Sequence, residues 1–256
     1  MSIVLDERKY AEEIIEKGEV GSKPTSTLFL LSKYYRQNEE LSEKKTVQAL
    51  HSFMAEHYKN YNPVLWEDII DDIAKKGKKY LLQKIDYIGI TQNEIDQISK
   101  VTSLKYQKLL FAMLCYAKFY NATCKKNNNW VNTDIKEIYR VARVTVKHRN
   151  DKFLYLNDLE TTGLISFSNK NDNLNMKVNF IDTDGDTVLK ITDFRELGYE
   201  YEQYMGENKF IRCSECNLLI KKKTNNQRYC PECATKINIQ KQKERDKLKN
   251  LDSENA

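Results

Sequence analysis

Glycine and proline punctuate this chain so sparsely that helices have to dominate its fold. Eight glycines and three prolines are spread over 256 residues, about a third of their ordinary share, so long stretches lack the residues that break helices. The glycines stand at positions 18, 21, 77, 89, 163, 185, 198 and 206, and no two are separated by a single residue. The phosphate-cradling patterns G-x-G-x-x-G and G-x-x-x-x-G-K-[ST] therefore cannot be written, which argues against dinucleotide enzymes, Walker-type ATPases and kinases. The longest apolar run, Leu109–Cys115, is far below membrane-spanning length. The start MSIVLDERKYAEEIIEK lacks the basic and apolar pattern of an export signal, so a cytoplasmic, non-membrane protein is expected.

A formal charge of +5 conceals strong segregation. Residues 1–99 carry −3, 100–150 carry +9, 151–208 carry −7, 209–250 carry +8 and 251–256 carry −2. Two basic blocks in an acidic remainder are the distribution expected where defined surfaces meet a polyanion.

Residues 1–100 read as a helical domain. Val47, Leu50, Phe53, Met54, His57 and Tyr58 form one stripe at helical spacing, and Trp66, Ile69, Ile70 and Ile73 another. Pro24, Asn62-Pro63 and Gly77 mark breaks, and Thr91-x-x-Glu94 has the form of a capping box. His51 and His57 lie six apart, off ligand spacing, and are expected to pack or face solvent.

Residues 101–192 change character. Tyr106, Leu109, Leu110, Met113, Leu114 and Ala117 predict a long helix over 104–120. A short helix with Ile135, Ile138 and Ala142 inward should follow, capped by Asn132 or Thr133 with Asp134 complementing its dipole. A further helix is expected to start at Thr145, with Phe153, Leu156 and Leu159 inward and Gly163 at its end. Leu164–Phe167 and Met176–Ile181 then read as strands, and Val188–Ile191 as another joined to them by a turn at Asp184-Gly185. That turn also explains the calcium-loop look of Asp182-Thr-Asp184-Gly-Asp186, whose glycine stands at position 4 rather than 6.

Helix, short helix, turn, longer helix and hairpin, with the ending LNDLETTGLISF, resembles a winged helix-turn-helix domain. The resemblance implies a recognition helix whose first turn enters the major groove of double-stranded DNA. Thr145, Lys147, His148 and Asn150 would then face bases or phosphate. Arg149 would either do the same or pair with Asp134 or Glu137. Lys170 and Lys177 would be phosphate contacts of the wing, with Lys105, Lys108, Lys125 and Lys126 adding non-specific attraction.

After a linker over 193–209, two C-x2-C knuckles, Cys213-Ser-Glu-Cys216 and Cys230-Pro-Glu-Cys233, are separated by 13 residues. Four thiolates satisfy a tetrahedral Zn2+ with no open position, so the metal would be structural rather than catalytic. The segment 210–235 resembles a zinc ribbon, with Asn217 where such ribbons usually carry glycine. Cys115 and Cys124 are expected to be a buried core thiol and a loop thiol. The stretch 236–256 reads as a basic helical tail in which Lys241, Lys243 and Arg245 could track phosphates. RYCPECATKINIQKQKERDKLK resembles the ribbon-and-basic-helix tails of uncharacterised phage and mobile-element proteins.

The expected fold class is mainly α: a helical N-terminal domain, a winged helix-turn-helix and a small C-terminal zinc ribbon. The expected function is non-enzymatic DNA binding in transcription regulation or replication of such an element. The alternative is an adaptor that docks on a host protein through the helical domain or the ribbon.

Overall fold

The computed structural model describes residues 3–148, 150–168 and 175–254, with side chains from 248 onward left aside. It is mainly helical, with ten helices and seven short strands among the described residues. The chain forms two compact units, residues 4–87 and a second built from residues 88–256 with the first three residues.

The first unit holds α1 (Glu7–Lys17), α2 (Pro24–Gln37), α3 (Glu43–His57) and α4 (Pro63–Gly77). Local chemistry sets their starts: Asp6, Ser42 and Asn62 accept from backbone amides of the first turn, and Pro24 and Pro63 open α2 and α4 where no amide partner is needed. Leu28, Leu31, Leu50, Met54, Ile70 and Ala74 are fully buried between them. A Cβ on Gly77 would overlap the Ser32 side chain, whose hydroxyl donates to the Ile73 carbonyl, so α2 and α4 approach more closely there than any larger residue allows. Ile69, expected inward, is 39% exposed, while α4 turns Ile70, Ile73, Ala74 and Gly77 to the core with Trp66 packed at its edge. His51 shares a hydrogen bond with the Tyr61 hydroxyl through Nδ1, and His57 packs on Phe53.

The second unit is organised around α6 (Leu104–Thr123), whose residues from Lys108 to Ala117 are all buried. The sequence suggests one wide apolar face; over residues 108–117 the helix is instead enclosed on every side, as befits a central element. Before it come β1 (Ile88–Thr91) and α5 (Gln92–Ser99). The capping box is present, with Thr91 Oγ1 accepting from Glu94 N and the Glu94 carboxylate accepting from Thr91 N.

After α6 the order is β2 (Trp130–Val131), α7 (Ile135–Val141), α8 (Asp151–Thr161), β3 (Ile165–Phe167) and β4 (Met176–Val178). The three strands form an antiparallel sheet in the order β2-β4-β3. Asp134, not Asn132 or Thr133, caps α7 by accepting from Lys136 N at 2.7 Å. Both expected caps have other partners: the Asn132 side chain donates to Asn127 Oδ1, and the Thr133 hydroxyl bonds the Tyr120 hydroxyl.

The helix expected from Thr145 starts six residues later. Arg143, at φ 52, takes the left-handed conformation that ends α7, and His148 N donates to Asp151 Oδ2 ahead of α8. Leu156 and Leu159 are buried as expected, whereas Phe153 and Leu154 are 39% and 58% exposed.

The strand β5 (Thr187–Ile191) pairs with β1, not with β4. Asp182 accounts for the turn without a hairpin: its carboxylate accepts from Asp184 N and Gly185 N at 3.1 Å and from the Thr91 hydroxyl. That carboxylate is accordingly held below its usual range, first by the two backbone amides. The β1–β5 pair also carries residues 88–99 into the second unit rather than the first.

The expected linker contains α9 (Leu197–Tyr204), with Leu197 and Tyr201 fully buried and the Tyr201 ring beside Phe111 of α6. Then follow the hairpin of β6 (Phe210–Arg212) and β7 (Leu219–Lys221) and the long α10 (Pro231–Glu254).

Candidate metal centre and basic surface

Each knuckle is shaped by its own backbone. Cys213 N donates to the Leu218 carbonyl and Asn217 N to the Cys213 carbonyl, both at 2.9 Å, while Asn217 sits at φ 55. Asparagine adopts that left-handed geometry more readily than other non-glycine residues. The second knuckle runs into α10, where Ala234 N donates to the Cys230 carbonyl. Ser214 N donates to the Arg228 carbonyl and joins the two.

The four sulfurs converge so that all lie within 4.8 Å of one another, and Cys216 Sγ and Cys230 Sγ are 3.8 Å apart. Four thiolates about 2.3 Å from a tetrahedral ion stand about 3.8 Å from each other. The cluster could therefore hold a metal ion, and its donor set is all sulfur. Cys213, Cys230 and Cys233 are buried, and none of the six cysteines is disulfide-bonded. Backbone amides point at the sulfurs: Cys230 N donates to Cys213 Sγ at 3.2 Å and Cys233 N to Cys230 Sγ at 3.4 Å. Burial pushes the Cys213 thiol up, but the amides of Cys216, Cys230 and Glu215 outweigh it and hold the group at about 6. Burial raises Cys216 and Cys233. Cys115 is buried in α6 and raised well above its ordinary value by desolvation; Cys124 is exposed.

Residues that carry no local signal tie the hairpin to the body of the unit. Arg195 Nη2 donates to the Cys216 carbonyl at 2.9 Å while the same guanidinium holds Asp193. Burial disfavours the Arg195 cation, yet its bonds to Asp193 raise its affinity for the proton. Arg212 holds both oxygens of Glu200 at 3.0 Å, against the burial that raises that carboxyl. The Phe210 ring lies 5.0 Å from that of Tyr199.

Among the expected nucleic-acid contacts, Thr145, Lys147, His148 and Asn150 are all exposed, but in the turn ahead of α8 rather than on its first turn. The helix itself adds Asp151, Asp158 and Glu160 against only Lys152. Arg149 and Lys170 lie outside the described residues. Lys177, between the buried Met176 and Val178, points to the outer face of β4. Lys241, Lys243 and Arg245 are exposed on α10.

The first basic block is less free than its composition suggests. Lys108 is buried against Glu202 and donates to the Arg143 carbonyl, so it cannot serve as the surface cation expected of it. Lys118 pairs with Glu94, Arg140 with Glu137 and Arg143 with Glu196. Lys105, Lys125, Lys126, Lys136 and Lys147 remain exposed. Compared with protein-family models, curated proteins and solved structures, the chain has no significant match to any.

Proposed function

We propose that the chain is a non-enzymatic DNA-binding protein whose second unit combines a winged helix-turn-helix with a structural Zn2+ ribbon. The observation that supports this reading is the order α6, β2, α7, α8, β3, β4 with the sheet order β2-β4-β3, an arrangement that suits a winged helix. Exposed Thr145, Lys147, His148 and Asn150 ahead of α8 supply donors suited to phosphates and base edges. Exposed Lys241, Lys243 and Arg245 on α10 supply a second, sequence-independent contact. The all-cysteine donor set and its spacing favour zinc in a closed structural site. A role in transcription or replication of a phage or mobile element fits the two basic surfaces.

The test is binding of the full chain to random duplex DNA over a salt series. Affinity should fall with a log–log slope of about −0.9 for each phosphate engaged; no retardation at about 50 mM salt would overturn the reading. A second reading, an adaptor for a host protein, is favoured by Val64 and Leu65 on α4, which are 77% and 71% exposed. It predicts a partner that survives nuclease treatment and negligible duplex affinity.

A further inference from the structure

We infer that the cysteine hairpin positions the turn ahead of α8, acting through Phe210, Tyr199 and Arg143. The four cysteines and the basic turn are far apart in sequence, yet α9 lies between them and touches both. On one side Tyr199 packs on Phe210, Glu200 holds Arg212, and Arg195, just ahead of α9, holds the Cys216 carbonyl. On the other, the Arg143 guanidinium lies 5.5 Å from the Tyr199 ring centroid and is gripped in bidentate fashion by Glu196. Lys108 donates to the Arg143 carbonyl while paired with Glu202 of α9.

Arg143 is the residue whose left-handed backbone ends α7 and launches the segment bearing Thr145, Lys147 and His148. A side chain other than an aspartate, asparagine or glycine rarely holds that geometry without outside support. Here the support comes from α9. The approach is as close as it can be, since a Cβ on Gly198 would overlap the Ala142 carbonyl oxygen. The hairpin buries Phe210, Leu219 and Ile220 beside its cysteines, a core so small that a metal held by the four sulfurs would supply much of its stability. Loss of the metal therefore removes Phe210 from Tyr199 and loosens Arg143. Arg143 and Tyr199 are positioning residues for the turn, in the sense that they act through its backbone.

The significance of this relay for DNA rests on the reading above, but its test needs no DNA, so the two fail separately. Hydrogen exchange is followed by mass spectrometry in the full chain, zinc-loaded and after EDTA. Residues 139–148, whose Val144 amide donates to the Tyr139 carbonyl, should exchange about fivefold faster after chelation. Residues 109–117 of α6 should not change. In zinc-loaded Tyr199→Leu the 139–148 segment should be equally fast while 210–220 stays as slow as in the parent. If that variant disturbs 210–220, Arg143→Lys decides instead, because it keeps a charge for Glu196 but loses the fork and the ring contact. Unchanged exchange of 139–148 on chelation, equal acceleration of 109–117, or a slow 139–148 in the deciding variant would each overturn the inference.

Discussion

Lys118 donates to both carboxylate oxygens of Glu94 at 2.8 Å, and Glu94 is fully buried. The same carboxylate accepts from Thr91 N and Asp182 N, both at 2.9 Å, so one side chain joins α6, the start of α5 and the Asp182 turn. Removing one partner strands the other in a low-dielectric interior. Lys118→Met should therefore cost about 3–5 kcal/mol in urea unfolding, and Lys118→Met combined with Glu94→Gln should cost less than the single change. A loss near zero in the single variant would show that the pair is dispensable.

Cys213→Ser removes one of four converging sulfurs. Bound zinc should drop from one per chain to a trace, with the hairpin of β6 and β7 losing protection while α1–α4 keep theirs. Metal content and exchange by mass spectrometry read the two effects together. Stoichiometric zinc in the variant would count against a four-cysteine site.

Glu137 is held below its ordinary carboxylate range chiefly by hydrogen bonds from Arg140, against partial burial. Because the folded value is the lower one, the pair's stabilisation is present above the ordinary carboxylate range. It is lost as pH falls through the lowered value. The urea midpoint of the parent should exceed that of Glu137→Gln at neutral pH, and the gap should close as pH falls below the ordinary carboxylate range and through the lowered value. A gap that stays constant with pH would assign the effect to shape rather than charge.

Lys147 is exposed in the turn ahead of α8. If it meets a phosphate, Lys147→Ala should weaken binding to all duplex sequences alike and reduce the magnitude of the salt slope by about 1. Lys108→Ala should act differently, through stability, because Lys108 is buried against Glu202. Identical salt slopes for Lys147→Ala and the parent would remove Lys147 from the contact surface.

Much of the local architecture is legible in the residues themselves. The two C-x2-C spacings bring four sulfurs together, and Asn217 takes the left-handed φ that its position after the knuckle suggests. Thr91 and Glu94 form their capping box, and Ile165–Phe167, within the expected strand, pairs with Met176–Val178. Each is settled by atoms a few residues apart, so composition and spacing carry the information.

Other features escape for the opposite reason. The start of α8 shifts from Thr145 to Asp151 because Arg143 is pinned by Glu196, a residue 53 positions away. The apolar residues of 193–209 are largely tyrosines alternating with acids around Gly198, which gives no clear helical stripe, and α9 is held there by Phe111 and Lys108 of α6. The basic block over 100–150 looks exposed in a charge sum, yet Glu94, Glu196 and Glu202 lie outside the block and neutralise three of its cations.

By itself the sequence determined the helical bias, the convergence of the four cysteines and the capping box of Thr91 and Glu94. All of these depend on backbone sterics or ligand reach within one or two turns of chain. Only the tertiary structure decided that β5 pairs with β1, that α9 bridges the hairpin and the turn at Arg143, and which lysines remain in solvent. Those outcomes depend on which distant segments share a core, where a buried charge must find its counter-ion wherever the chain supplies one.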